Sequence, residues 1–325
     1  MLVKTFKVDV LMEKIVSTII PIFAVIIFGN LLRSRGFLPE EFTPPANDLV
    51  YHVAIPVMIF EKVAESNFRK SISLDAVISL IGPVIITFAL VFLVSSIARL
   101  NNQSRGTLVQ SSIHGNLGYV AFAVAYYFLG GTGFTKTVII GSFLILTQNF
   151  ISVSVLEYFL GKGDGTRKTD LLAVIRQISI NPIILATLLG IVVSLTRFPI
   201  PIFVERTLKI ISNMALPMAL FLIGASISVK NIKKHLKGTL TATFFKLIIL
   251  PATGYVFLRA LKVPGDYRLP CLILLAAPSA TVTYIMAVEL HGDPELAATN
   301  ISVSTLMSGL MYIFWLSVGS GTFSI

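Results

Sequence analysis

Charge is what this sequence has least of. Only 13 % of its 325 residues are Asp, Glu, Lys or Arg, about half the roughly 25 % of an ordinary soluble domain. That scarcity excludes a disordered chain and a conventional soluble enzyme, both of which need polar surface. Cysteine is nearly absent. Cys271 stands alone, which excludes an internal disulfide and a cysteine-based metal cluster. It lies in an apolar run and reads as a small packed residue. Catalytic signatures are missing too. Neither H-E-x-x-H nor G-x-S-x-G nor a helix with paired carboxylates occurs, and GKGDGTRK at 161–168 lacks phosphate-loop spacing. The four histidines, His52, His114, His235 and His291, have no metal-ligand spacing. The chain reads as a non-enzyme without a cofactor.

What is there is apolar. Hydrophobic residues make up 55 % of the chain, and the mean hydropathy is +0.86. Spanning a bilayer takes about 20 apolar residues per helix. Ten apolar segments are marked at 15–33, 46–63, 74–98, 105–130, 134–160, 173–196, 204–227, 236–259, 268–290 and 296–320. They are apolar on all sides, without the alternation of a membrane barrel strand. The bilayer then requires α-helices, which pair their own backbone groups. The expectation is an all-α, multi-pass integral protein of the cytoplasmic membrane. The net charge of +10 comes from Lys and Arg scattered in short loops. Their partners are lipid headgroups rather than nucleic acid. Thirteen basic residues fall on the side of the termini and twelve on the other, with Lys246 inside a span, so the sums do not orient the protein. The two most basic loops, Lys162–Arg176 and Lys230–Lys237, share a side. That side reads as cytoplasmic and the termini as external.

The two halves repeat. Pro21 and Pro182 are 161 residues apart, and Gly29 and Gly190 follow each by eight residues. The same offset relates Pro56 to Pro217 and Phe60 to Phe221. With five spans per half, the second half enters the membrane from the opposite face, as in many secondary transporters. The chain divides into a head at 1–14, a first five-helix repeat at 15–160, a basic linker at 161–172 and a second repeat at 173–325. Met12 is an alternative start to Met1, and the head reads as a short interfacial helix or as disorder.

In carriers of this type substrate binds where helices break near the midplane. The exposed amides of a half-helix attract an anion there. The fourth segment holds His114, Gly115, Asn116 and Gly118 at its centre, a glycine pattern that favours a break. The ninth holds Pro278, Ser279, Thr281 and Thr283, where proline removes a helix donor. These are the fourth helices of the two halves. The other reading is a pair of tolerated kinks. Lys246 lies mid-span, where a lysine costs about 2.5–3.5 kcal/mol on insertion; it faces a cavity or a partner, or snorkels to a headgroup. Gln148 and Asn149 lie in the fifth segment. Asn300, Ser304 and Ser308 share a face of the tenth, which joins helices or binds ligand. His52 and Asn213 each precede a paired proline by four residues, and either lines a pathway or packs.

Five stretches resemble the auxin efflux carrier family, the bacterial and archaeal relatives of the plant auxin exporters. They are NDLVYHVAIPVMIF, GNLGYVAFAV, NPIILATLLGIVVS with PIPIFVERTLKIISNMALPMALFLIGASIS, KLIILP, and APSATVTYIMAVELHGDPELAATNISVSTL. The resemblance runs from about residue 15 to 320. It implies a ten-helix fold similar to the bile-acid sodium symporters, with helices 1, 2, 6 and 7 as scaffold. The others form a transport domain in which broken helices 4 and 9 cross. It further implies a homodimer through the scaffold, an organic anion bound at the crossing, and elevator-type alternating access. Its pattern falls on Asn47, Asn116, Gly118, Lys246, Pro278, Ser279, Thr281 and Thr283. Gly115 joins them from the glycine pattern. One departure is that family members often have Gly-x-Pro where this chain reads Ala121, Phe122, Ala123. Auxin-like acids and dicarboxylates both fit as substrates, and coupling to protons or to no ion stays open. The alternatives are a sodium-coupled organic anion symporter and a transporter-like sensor.

Overall fold

The computed structural model describes residues 2–68, 71–97, 100–164, 180–227 and 232–321. The basic linker from residue 165 onward and the start of the sixth segment lie outside them. The protein is all-helical, 86 % helix, with no strand among the described residues. α1 (Leu2–Ser34) is continuous through the head and the first segment. The second segment is α2 (Thr43–Leu49), a π-helical turn at Val50–Ala54, and α3 (Ile55–Ala64). α4 is Leu74–Ile97 and α5 Asn102–Ile113. α6 (Phe122–Asp164) bends at Gly130, whose φ of 73° suits glycine. α7 is Pro182–Thr196 and α8 Ile202–Ser226. α9 (Ile232–Phe244) continues through a π-helical turn at Phe245–Ile249 into α10 (Leu250–Ala260). α11 (Gly265–Leu275), α12 (Val282–Glu289) and α13 (Pro294–Gly319) complete the chain.

Helix starts follow local chemistry. Asn101 Oδ1 accepts the Ser104 N–H at 2.8 Å, Asp293 Oδ1 that of Leu296 at 3.0 Å, and Asn181 Oδ1 those of Ile183 and Ile184. Each cap satisfies an amide that the helix cannot. Pro182 and Pro294 occupy first positions, where no donor is lost.

Among the described residues, six helices are long and apolar enough to cross a membrane: Asp9–Ser34, Leu74–Ile97, Leu117–Phe159, Ile202–Ser226, Ile232–Ala260 and Pro294–Gly319. The third of these has 43 residues, about twice the ~20 a crossing needs, and it folds back at Gly130. The fourth and ninth segments are each split, which is why neither forms one long helix. Cys271 packs fully buried, its Sγ 3.7 Å from the Ala76 carbonyl.

Two helix contacts are built on glycine. A Cβ on Gly224 of α8 would lie 1.8 Å from the Ile26 carbonyl oxygen of α1, and one on Gly29 would lie 2.1 Å from that of Phe221. The backbones of α1 and α8 therefore touch. α7 meets α3 in the same way, with a Gly190 Cβ 3.2 Å from the Phe60 carbonyl oxygen. Gly29 and Gly190, like Phe60 and Phe221, are mates at the 161-residue offset. Close approach maximises the packing that holds helices together in lipid. At the end of α8, Arg33 donates to the Ala225 carbonyl at 2.7 Å and Asn30 to that of Gly224 at 3.2 Å. Gly224→Ala is expected to lower stability by about 1–3 kcal/mol, because the helices must separate to admit a methyl group. Gly131→Ala, where a Cβ meets nothing within 4 Å, is the control. Thermal melting in detergent measures both.

Candidate functional site

Two helices are interrupted, and the interruptions meet. α5 ends at Ile113; His114 and Asn116 turn extended or irregular (φ −84°, ψ 101° and φ −76°, ψ 78°). A π-helical turn at Leu117–Ala121 then leads into α6. α11 ends at Leu275, and the chain resumes helix only at Val282. Gly115 and Ser279 form an antiparallel bridge. The Asn116 N–H donates to the Pro278 carbonyl at 2.7 Å and the Ala280 N–H to that of His114 at 3.0 Å. Backbone groups freed by each break are satisfied by the other. Ala121–Phe122–Ala123 lies beyond the break, in the resuming helix, so the interruption forms without the usual proline. Gly115 explains the close approach, since a Cβ there would lie 3.1 Å from Lys246 Nζ and 3.3 Å from the Ala277 Cβ.

Side chains lock this junction from behind. Ser279 Oγ donates to the Ser111 carbonyl at 2.7 Å and accepts from Asn300 Nδ2 at 2.7 Å. Asn300 Oδ1 in turn accepts from Thr243 Oγ1 at 3.0 Å. Ser304 Oγ accepts the Ser279 N–H at 3.1 Å. The polar face of the tenth segment thus joins helices through Asn300 and Ser304, while Ser308 bonds back to the Thr305 carbonyl. Lys246, with no exposed surface, donates to the Leu275 carbonyl at 2.9 Å. That carbonyl ends α11, where the helix leaves acceptors unpaired. Among the described residues no carboxylate pairs with Lys246. Thr283 is fully buried and bonds to the Ala280 carbonyl at 2.7 Å.

In front of the junction lies a cavity of about 290 Å³, near the lower end of the roughly 300–1,000 Å³ usual for small-molecule sites. Five expected residues line it: Asn47, Gly115, Asn116, Gly118 and Thr281. Pro278, Ser279, Thr283 and Lys246 do not; they sit behind its wall. Residues not among the expected contacts also line it, including Tyr51, His114, Gln148, Asn149 and Asn181. His52 lines it as well, the pathway alternative of its sequence reading. Gln148 and Asn149 were legible as polar residues in an apolar span. Tyr51 and Asn181 carry no such signal, because Tyr51 has a largely apolar ring and Asn181 before Pro182 reads as an ordinary helix start.

Two buried side-chain amides line the cavity. Asn116 Oδ1 accepts the Tyr119 N–H at 3.2 Å, while its Nδ2 is buried and without a partner. Gln148 Oε1 accepts the Gly115 N–H at 3.2 Å, which leaves its Nε2 in the same condition. Both residues are at most 5 % exposed. A buried donor left unpaired costs about 1–3 kcal/mol, so an acceptor that reached either amide from the cavity would recover that cost. Three helix starts, after Asn116, Asn181 and Thr281, also face it, and their amide ends favour negative charge. Leu117, Ile145, Ile183, Val282 and Ile285 supply apolar wall. Asp48 and His52 line its exposed end.

The sequence matches the family model described as "Membrane transport protein" over residues 14–316. A protein of Rhizobium meliloti named "Putative malonate transporter" is 24 % identical over 93 % of this chain and 96 % of its own length. An uncharacterized transporter of Methanocaldococcus jannaschii is 23 % identical over 92 % of this chain and 97 % of its own. Auxin efflux carrier component 7 of Arabidopsis thaliana is 26 % identical over 42 % of this chain and 23 % of its own length.

Proposed function

Since the chain belongs to the membrane transport protein family, that of the auxin efflux carriers, and is a multi-pass integral membrane protein rather than an enzyme, we propose that it is a secondary transporter of organic anions. The observation that carries this reading is the pair of unpartnered donors, Asn116 Nδ2 and Gln148 Nε2, at the buried end of one cavity. A carboxylate accepts from both and gains charge-assisted bonds, roughly twice as strong as neutral ones.

In this reading the ten segments form two inverted five-helix repeats, and helices 4 and 9 cross at their breaks. The glycine contacts between α1 and α8 and between α3 and α7 support a four-helix scaffold. The remaining helices move as a body, elevator-fashion, carrying the substrate past it. Asn47, Gly115, Asn116, Gly118 and Thr281 contact the anion. Pro278, Ser279 and Thr283 shape the break from behind. Lys246 supplies fixed positive charge to the moving body, in place of a coupling cation. A homodimer through the scaffold completes the arrangement. The named relative supports dicarboxylates as first candidates, and auxin-like acids come next.

A thermal-shift screen of the detergent-purified protein tests the proposal. A ligand that binds the native state raises the melting temperature with its concentration. Malonate or another carboxylate is expected to do so equally with and without sodium, at pH 5.5 and 7.5. A shift that requires sodium turns the reading to a sodium-coupled symporter. A shift from no carboxylate defeats the anion site.

A further inference from the structure

His114 opens the break between α5 and the turn that leads into α6. It is 5 % exposed and lines the cavity in front of the junction. Its backbone is fixed on both sides. The N–H donates to the Gln110 carbonyl at 2.9 Å, and the carbonyl accepts the Ala280 N–H at 3.0 Å. Its ring is fixed as well, with Nδ1 2.9 Å from Ser152 Oγ. Ser152 follows Gln148 by four residues on α6, so the two share a helix face. Gln148 holds the Gly115 N–H and Ser152 holds the His114 ring. One turn of α6 thus positions two consecutive residues of the break.

The serine decides which ring nitrogen carries the proton. Ser152 is fully buried, and its hydroxyl has no other side-chain or backbone partner among the described residues. If Nδ1 were the donor, the serine's own proton would be sealed away without an acceptor, which buried polar groups avoid. The serine O–H therefore donates to Nδ1, and the neutral ring keeps its proton on Nε2. Nε2 has no hydrogen-bond partner among the described residues. Nor does any carboxylate among them pair with the ring. The other titratable groups nearby are Lys246 behind Gly115, and Asp48, Tyr51, His52 and Tyr119 on the cavity wall.

We propose that His114 is a substrate contact, a neutral imidazole whose Nε2–H donates to the anion beside Asn116 Nδ2 and Gln148 Nε2, with Ser152 as its positioning residue. The proposal rests on the anion-transport reading and specifies the form of the substrate. A deprotonated carboxylate offers lone pairs on two oxygens and accepts from all three donors. An ammonium ion accepts from none. Binding takes up no proton at His114, because the ring already presents its donor in the neutral form.

Malonate-dependent melting of the full-length, detergent-purified protein at pH 7.5 tests this, with melting in the absence of malonate as the check on folding. His114→Leu is expected to lower malonate affinity about tenfold. His114→Gln, which restores an amide donor at the distance of Nε2, recovers most of that loss. Ser152→Ala frees the ring to carry its proton on either nitrogen, and affinity falls by about two- to fivefold, in proportion to the remaining Nε2–H form. Nitrogen-15 NMR of histidine-labelled protein supplies a readout that a packing role would not move. The resonances lost in His114→Gln assign the ring. They are expected to show a protonated Nε2 and a bare Nδ1, with the Nε2 proton shifting when malonate is added. An Nδ1–H ring in the parent protein overturns the proposal, as does an imidazolium in the malonate complex or an Nε2 proton indifferent to malonate. If Asn116→Ala weakens malonate binding and His114→Leu leaves it within about twofold, the anion site stands and His114 has no part in it. If malonate fails to stabilise even the parent protein, the anion-transport reading fails and this proposal falls with it.

Discussion

Asn116→Ala is expected to lower carboxylate affinity more than tenfold, and Asn116→Asp to lower it further while preserving the fold. The two variants separate the two jobs of this side chain. Oδ1 caps the resuming helix by accepting the Tyr119 N–H, and Nδ2 is buried without a partner beside the cavity. Alanine removes both. Losing the cap costs about 1 kcal/mol of stability. Losing a donor to a charged acceptor costs about 1.5–3 kcal/mol of binding, which is roughly tenfold or more. Aspartate keeps an acceptor for Tyr119 and sets a negative charge where the donor stood. Isothermal titration or ligand-dependent melting reads the affinities, and melting without ligand reads the fold. Unchanged affinity in Asn116→Asp would place the anion elsewhere. Gln148→Ala belongs to the same experiment, with a smaller loss expected because Gln148 caps no helix.

The second large effect concerns Lys246. Lys246→Met and Lys246→Gln are each expected to reduce uptake more than tenfold with little change in melting temperature. A charged lysine at mid-span costs about 2.5–3.5 kcal/mol. Its compensation is one hydrogen bond to the Leu275 carbonyl, and orphaning that acceptor costs about 1–3 kcal/mol. Removal of the side chain therefore leaves stability nearly balanced. In the proposed cycle that cost is offset by function, since Lys246 stands behind Gly115, where an added Cβ would lie 3.1 Å from its Nζ. Glutamine keeps a donor for Leu275 without the charge. If Lys246→Gln transports normally and with the same pH dependence as the parent, the positive charge has no part in the cycle.

Much of this site was legible in the linear chain because membrane helices make polar residues conspicuous. In an apolar span each Asn, Gln or Lys needs a partner, so Asn116, Gln148 and Lys246 stood out, as did the glycines and proline of the two breaks. What could not be read was which of them face open space. Ser279 and Thr283 look as suited to a ligand as Thr281 does, yet both are consumed by hydrogen bonds within the protein. Asn300 and Ser304 fall on one helix face with no sign that they hold Ser279, a residue more than twenty positions away. Tyr51 reaches the cavity with a largely apolar ring and Asn181 as the cap of α7, a place where polarity is ordinary and signals nothing.

The sequence by itself determined that this is a multi-pass helical membrane protein. Hydrocarbon demands long apolar helices, and only their composition is needed to recognise them. It also determined where two of those helices break, because glycine and proline act through local backbone preference. The tertiary structure alone decided that the breaks satisfy each other's backbone groups, and that Lys246 lies behind the wall rather than in the cavity. It also decided that two amides are left unpaired on one surface. The first of those outcomes depends on contacts between residues more than a hundred positions apart, and in all three a hydrogen-bonding group's partner is fixed by packing in space rather than by composition along the chain.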